Sequence, residues 1–297
     1  MSLGRRRIVI TGAGGRLGAT IAADLRAAGD DVLAYGRAEL DVTSQADVER
    51  LLDTRPDAII NCSAYNAVDR AETESEAAFA INAKGPSLLA RAADRIGIPI
   101  VHYSTDFVFD GTSDVPYTED HETHPLSVYG ASKLAGETHV RTVTRHYILR
   151  VESLFGGTGV HGHRTTVDVI TDNLLAGSPA RAVVDRTTSL SHVSDVARAT
   201  RALLEQRAPF GIYHCVSSGH TTWYELACEI RRQVASSSQI DRVFAADLKT
   251  AARRPTFCAL ANRKLLDLGI DMPTWQSTIE RHLTARGIAL VGNAIPL

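Results

Sequence analysis

Residues 7 to 29 carry the pattern that most restricts how this chain can fold. A β-branched run, Arg7 to Thr11, leads straight into Gly12-Ala13-Gly14-Gly15-Arg16-Leu17-Gly18, and an alanine-rich helical stretch runs on to Gly29. Strand, glycine turn and helix in that order make a dinucleotide-binding opening. Read from Gly12 as G-x-G-x-x-G, the last place falls on Leu17 and the pattern fails. Read as G-x-x-G-x-x-G, it is met by Gly12, Gly15 and Gly18. These glycines let the backbone approach a pyrophosphate, while the helix N-terminus supplies amide donors and positive potential. Arg16 and Leu17 lie inside the turn and are taken as cofactor contacts with it.

The segments that follow keep the same rhythm. Asp31 to Tyr35 is a second strand, ending in Gly36-Arg37. A site that prefers NAD places a carboxylate near this strand end, whereas Arg37 offers a planar donor fork suited to a 2′-phosphate. NADP(H) is therefore preferred, with NAD(H) as second choice. Asp41-Val42 comes next; Asp41 suits either the adenine or a helix cap. Pro56 to Asn61 is a third buried strand, running into Cys62-Ser63-Ala64-Tyr65. Small residues at Ser63 and Ala64 admit a cofactor closely, and Tyr65 either covers its ribose or nicotinamide or packs within the loop. Glu74 to Ile96 reads as one long helix bent near Lys84-Gly85-Pro86. Asn82 within it either braces the site or lies on the surface. Ile98 to Tyr103 is the next strand and delivers Ser104, Thr105 and Asp106 to the crevice of an open sheet. Strands alternating with helices over short loops predict a parallel α/β sheet covered on both faces, a Rossmann-type doubly wound fold.

Ser127 to Arg145 is a helix that carries Tyr129 and Lys133, four residues apart and so one turn apart on one face. A phenol beside a fixed ammonium is a proton donor whose pKa is pulled towards neutrality, which ketone reduction needs. Tyr-x-x-x-Lys is a short motif, but the chain holds only four lysines and eight tyrosines. Random placement yields about 0.1 such pairs. The pattern changes after Gly156. Residues 1–156 are expected to bind the dinucleotide and 157–297 to form mainly a substrate lobe, with segments about 182–216 returning to the first. His161 and His163, in a glycine-rich stretch, read as part of a mobile substrate loop. They lack Cys or carboxylate companions at ligand spacing, so no metal is expected.

The totals exclude several classes. Net charge is −2 with both signs interspersed, so no basic stripe points to nucleic acid. Cys62, Cys215, Cys228 and Cys258 form no C-x-x-C pair and read as reduced thiols. No apolar run is long enough for a membrane span. Arg5-Arg6-Arg7 before Ile8-Val9-Ile10 starts like a signal peptide, but the apolar part ends within three residues at the glycine turn. A soluble cytoplasmic protein is expected, and a homodimer stays open.

With these residues in hand, the chain resembles the dTDP-4-dehydrorhamnose reductase family, within the extended short-chain dehydrogenase/reductases. The motifs include the glycine turn, Arg55-Pro56-Asp57, Ala64-Tyr65 with Ala67-Val68-Asp69, and Ser104-Thr105-Asp106 with Val108-Phe109-Asp110-Gly111. They continue through Tyr129-Gly130 and Ser132 to Glu137, and resume at Gly211-Ile212-Tyr213-His214, Trp223-Tyr224-Glu225, Arg254-Pro255 and Trp275. The resemblance implies a Rossmann domain with a small C-terminal lobe holding a nucleoside-diphosphate sugar. It also implies NADPH-dependent reduction of the C4 ketone of a 4-keto-6-deoxy sugar, as in dTDP-L-rhamnose synthesis. Tyr129 then matches the proton donor, Lys133 the lysine on the nicotinamide ribose, and Thr105 the hydroxyl that positions the ketone. Asp106 would face the sugar.

One departure stands out. The family usually reads Arg-Thr-Ser-Trp-Val-Tyr-Gly after the last Rossmann strand, its tryptophan contacting the sugar. Here the stretch is Arg150-Val151-Glu152-Ser153-Leu154-Phe155-Gly156. Ser153 takes the tryptophan's place, and Glu152 adds a carboxylate nearby. Two other readings follow: an extended reductase or epimerase for a different nucleotide sugar, and a regulatory subunit resembling the β-subunit of methionine adenosyltransferase.

Overall fold

A computed structural model describes residues 5–157 and 164–291, so the His161 and His163 stretch lies outside the described residues. Its centre is a parallel sheet of six strands. These are β1 (Arg7–Thr11), β2 (Asp31–Tyr35), β3 (Ala58–Asn61), β4 (Ile100–Thr105), β5 (His146–Val151) and a late edge strand, Gly211–His214. Their order across the sheet is β2-β1-β3-β4-β5 and then Gly211–His214. The chain leaves β1 in one direction and returns at β3 on its other side. The carboxyl ends of β1 and β3 therefore flank the switch point where such sheets bind ligands.

Strands buried on both faces need no polar alternation. Ile8, Val9 and Ile10 in β1 and Ile59 and Ile60 in β3 are accordingly fully buried in succession. Helix α1 (Arg16–Ala27) and the helix Val193–Glu205 cover one face through Ile21, Leu25, Val196 and Leu203. Helix α2 (Gln45–Asp53) and the helix Gly85–Arg95 cover the other through Val48, Leu51 and Leu89. A further apolar core gathers Phe155, Ile170, Leu174, Leu226, Ile230 and Ile279. Beside it, Ala180–Val183 pairs in parallel with Ile240–Val243, apart from the main sheet. No described helix is long and apolar enough to cross a membrane.

Two elements differ from the sequence expectation in ways that matter to the site. The single long helix is three segments: Ser75–Phe79, a π turn over Ala80–Lys84, and Gly85–Arg95. The π turn carries Asn82, which is fully buried. Its Oδ1 accepts from the Tyr65 amide at 2.8 Å, and its Nδ2 donates to Tyr65 O at 3.1 Å and to Ser132 Oγ at 3.0 Å. Asn82 is thus a brace between the loop after β3 and the Tyr129 helix. Pro86 sits in the first turn of the next segment, where its missing N–H costs nothing. The second difference is that β4 extends two residues past Tyr103. Thr105, paired with Val151, is the last residue of the strand.

The helix Val128–Val140 is capped by Ser127, whose Oγ accepts from Gly130 N at 3.1 Å. It lies so close to the π turn that a Cβ on Gly136 would fall 2.1 Å from Asn82 O. Only glycine allows that approach, and with it the depth at which Tyr129 and Lys133 sit.

Candidate active site

At the carboxyl ends of the strands the glycine turn closes over the sheet. Gly12 has φ +68°, a left-handed conformation that suits glycine, and a Cβ there would lie 2.6 Å from the backbone of Cys62 and Ser63. Gly15 is the N-cap of α1, and among the described residues no side chain caps that helix. The first amides of α1 are therefore left for a ligand. A Cβ on Gly18 would meet Gly12 O at 2.6 Å, so this glycine seals turn against helix. Uncapped amides beside a close backbone approach fit the pyrophosphate of a dinucleotide.

A cavity of about 380 Å³ opens in front of this turn. Gly15, Arg16, Leu17, Gly18, Ser63, Ala64, Thr105, Asp106, Tyr129, Lys133 and Ser153 all line it. Arg16 also donates to Gly156 O at 2.7 Å and Gly157 O at 2.8 Å, tying the end of the β5 loop to the turn. Five other expected positions lie outside the lining: Gly12, tucked against the backbone of Cys62 and Ser63, and four more. Arg37 is exposed beyond β2. Asp41 turns its carboxylate to Thr43, accepting from the amide and the hydroxyl at 2.8 Å, while the cap of α2 is Ser44. Val42 is buried against Gly85 in the second face of the sheet. The Tyr65 hydroxyl donates to Glu74, which takes the loop-packing alternative for its ring.

Within the cavity, Lys133 is buried and its Nζ donates to Tyr103 O at 2.6 Å. Burial lowers its pKa to about 8, against the charge of Glu137 one turn along the helix and against Cys62. Tyr129 behaves differently from the sequence expectation. Its phenol is raised rather than drawn towards neutrality, because burial and the nearby Asp106 disfavour the phenolate more than a hydrogen bond with Thr105 favours it. The Lys133 ammonium meanwhile makes its hydrogen bond to Tyr103 O. The phenol therefore keeps its proton across neutral pH, as a proton donor must. Phe107 holds the ring edge-on, with centroids 5.6 Å apart at 80°.

The sequence reading missed the layer beneath. Thr11 Oγ1 donates to Asn61 Oδ1 at 2.8 Å, Ser63 Oγ donates to Thr11 Oγ1 at 3.0 Å, and Asn61 Nδ2 meets His102 Nδ1 at 3.1 Å. His102 is kept neutral by burial and by the Lys133 charge. A polar residue closing an otherwise apolar strand, as Thr11 and Asn61 do, is the signal that would have found this network.

Asp106, Phe107, Glu152 and Ser153 form the wall between this cavity and a second one of about 330 Å³. Arg181, Arg186, Arg254 and Trp223 line the second cavity. Arg254 is clamped by Asp69, with Nη2 on Oδ2 at 2.7 Å and Nη1 on Oδ1 at 2.9 Å, which draws Asp69 down to about 2. Ser153 stands at φ +48°. That left-handed conformation costs a non-glycine residue about 1–2 kcal/mol and is held where a site requires it. A larger recess of about 790 Å³ beside the edge strand contains none of the expected site residues.

A doubly wound sheet whose switch point faces a buried tyrosine, lysine and threonine defines a Rossmann-type reductase. The comparisons narrow this further. The chain belongs to the family described as RmlD substrate binding domain, which matches residues 6–287. Spore coat polysaccharide biosynthesis protein SpsK of Bacillus subtilis is 31% identical over 285 residues, covering 95% of this chain and 99% of that protein. A dTDP-4-dehydrorhamnose reductase of Mycobacterium tuberculosis is 35% identical over 288 residues, covering 94% and 93%. Among solved structures, dTDP-4-dehydrorhamnose reductase of Clostridium acetobutylicum superposes with a TM-score of 0.88 at 31% identity over 95% of this chain and 99% of that one. The Bacillus anthracis reductase in complex with NADP gives the same TM-score at 30% identity, covering 95% and 99%. The family to which the motifs pointed is the family the chain belongs to.

Proposed function

We propose that this protein is an NADPH-dependent reductase of the C4 ketone of a nucleotide-linked 4-keto-6-deoxy sugar. The observation that carries this reading is the convergence of Thr105, Tyr129 and Lys133 on one cavity between the glycine turn and a second, arginine-lined cavity. Reductases of this name from Mycobacterium tuberculosis and Clostridium acetobutylicum match nearly the whole chain, and the Bacillus anthracis relative holds NADP. Residues 1–156, with the returning edge strand, form the dinucleotide-binding part in this account, and the later core forms the sugar lobe.

When bound, the nicotinamide supplies the hydride. Around it Gly12, Gly15 and Gly18 hold the backbone close to the pyrophosphate, with Arg16, Leu17, Ser63 and Ala64 lining the same wall. Lys133 holds the ribose, Thr105 orients the ketone oxygen, and Tyr129 gives that oxygen its proton. Asp106 and Ser153 face the sugar, and Arg181 and Arg186 suit a diphosphate. Purified protein should oxidise NADPH when given a dTDP-4-keto-6-deoxyhexose; a panel of such ketosugars without turnover would overturn the reading.

Arg37 and Asp41 carry the adenosine end. Replacing Arg37 by Ser removes one charge-assisted contact to the 2′-phosphate, a loss of about 1.5–3 kcal/mol. The ratio of NADPH to NADH affinity is thus expected to fall about tenfold or more. Equal loss for both cofactors would show that Arg37 does not read the phosphate.

The lowered Lys133 pKa sets a pH dependence. In the free protein the ammonium is present below about pH 8 and is lost above it. NADPH affinity, followed by fluorescence titration, should weaken as pH rises through that value. A flat profile between neutrality and pH of about 9 would refute the ammonium's role.

A further inference from the structure

Glu152 marks this chain's departure from its family's pattern, and its surroundings give it a task. It is 4% exposed in the wall between the two cavities. Its Oε2 accepts from Ser189 N at 2.7 Å, and its Oε1 meets the Thr188 hydroxyl. One oxygen of Asp106, one of Glu152 and the Cys258 sulfur lie within 4.8 Å of one another, all buried. Asp106 Oδ2 is buried without a hydrogen-bond partner among the described residues. Its other oxygen accepts from Thr105 Oγ1 at 2.8 Å, and Thr105 lines the same cavity as Tyr129, near enough to favour its phenolate. Phenol, hydroxyl and carboxyl thus stand in sequence as far as Asp106, and the remaining gap to Glu152 is one that a single water or substrate hydroxyl spans.

We propose that Asp106 and Glu152 hold one proton between them and return it through Thr105 to Tyr129 after each reduction. The inference rests on the ketoreductase reading. As hydride reaches the carbonyl carbon, the phenol gives its proton to the oxygen. The phenolate then takes the Thr105 hydroxyl proton, and Thr105 takes one from Asp106. The proton that Asp106 passes on has first reached it from Glu152, and solvent restores Glu152 once product leaves. No other oxidant or reductant is required. Asp106 and Glu152 are positioning residues here, acting on substrate only through Thr105 and Tyr129.

The groups facing the pair support a stored proton. Two buried carboxyl groups this close cannot both ionise cheaply. Burial and the Asp106 charge push Glu152 well up, while burial raises Asp106 only to about 6. The proton therefore rests on Glu152 at neutral pH. The Thr188 hydroxyl and the Ser189 amide both donate to Glu152, which favours its ionised form but only partly offsets burial and the Asp106 charge. Opposite stand the Cys258 thiol, which burial keeps protonated, and the Arg186 guanidinium, with Tyr129 and Thr105 on the substrate side.

The test is kcat against pH for the full-length protein with NADPH and a dTDP-4-keto-6-deoxyhexose. Wild type should lose kcat on a high-pH limb as the stored proton is lost. Glu152→Gln is expected to lower kcat about 10- to 100-fold at neutral pH, recovering as pH falls to about 6, where Asp106 is protonated. Its NADPH affinity should match wild type, and Glu152→Asp should restore most of the profile. If Glu152→Gln does not fold, Thr188→Val serves: it removes a bond that favours ionised Glu152, so the limb moves to higher pH. A Glu152→Gln profile superposable on wild type, or an unmoved limb in Thr188→Val, overturns the relay. Failure of wild type to reduce any ketosugar would instead refute the underlying reading.

Discussion

Tyr129→Phe is expected to lower kcat by about 10²- to 10⁴-fold while leaving NADPH binding nearly unchanged. The size follows from what the substitution removes. A proton must reach the carbonyl oxygen as hydride reaches the carbon, and the raised phenol carries one throughout neutral pH. Neither neighbour replaces it, since Lys133 is hydrogen-bonded to Tyr103 O and Thr105 donates to Asp106. Phenylalanine keeps the ring volume and its edge contact with Phe107, so the cavity and the lysine remain in place. Stopped-flow NADPH oxidation together with fluorescence binding separates the two quantities. A Phe variant within about threefold of wild-type kcat would show that another group donates the proton.

The parts legible in the sequence are those that repeat a local rule. The glycine turn specifies its own backbone: Gly12 needs a positive φ, and Gly18 needs the absence of a Cβ. A four-residue spacing puts Tyr129 and Lys133 on one face wherever a helix forms. What escaped are features made by contacts distant in sequence. Nothing local to residues 74–96 reveals a π turn, because it is held by Asn82 reaching across to Tyr65 and Ser132. The Tyr129 pKa was misjudged for the same reason. Spacing reports the lysine, but burial and Asp106, which arrives just past the end of β4, decide the sign. The Asp69–Arg254 clamp joins two motifs visible separately in the sequence, and only the fold shows that they meet.

Arg150→Ala should be the most destabilising single substitution considered, at about 3–5 kcal/mol. Arg150 and Glu137 are 2% and 1% exposed, and they form a two-point pair at 2.9 and 2.8 Å. Truncating the arginine leaves a desolvated carboxylate without its hydrogen-bonded countercharge. Urea unfolding should show a lower midpoint at an unchanged slope. Replacing both partners, Arg150→Met with Glu137→Leu, should recover most of that loss, because a buried ion pair is often no better than apolar packing of similar volume. The pair's value to the protein must then lie elsewhere. Glu137 follows Lys133 by one helical turn, and its charge is the largest influence opposing burial of the ammonium. The double variant is therefore expected to fold normally, yet lose NADPH affinity at a lower pH than wild type, since Lys133 would give up its proton sooner. An unchanged binding profile in a stable double variant would show that Glu137 serves the fold alone.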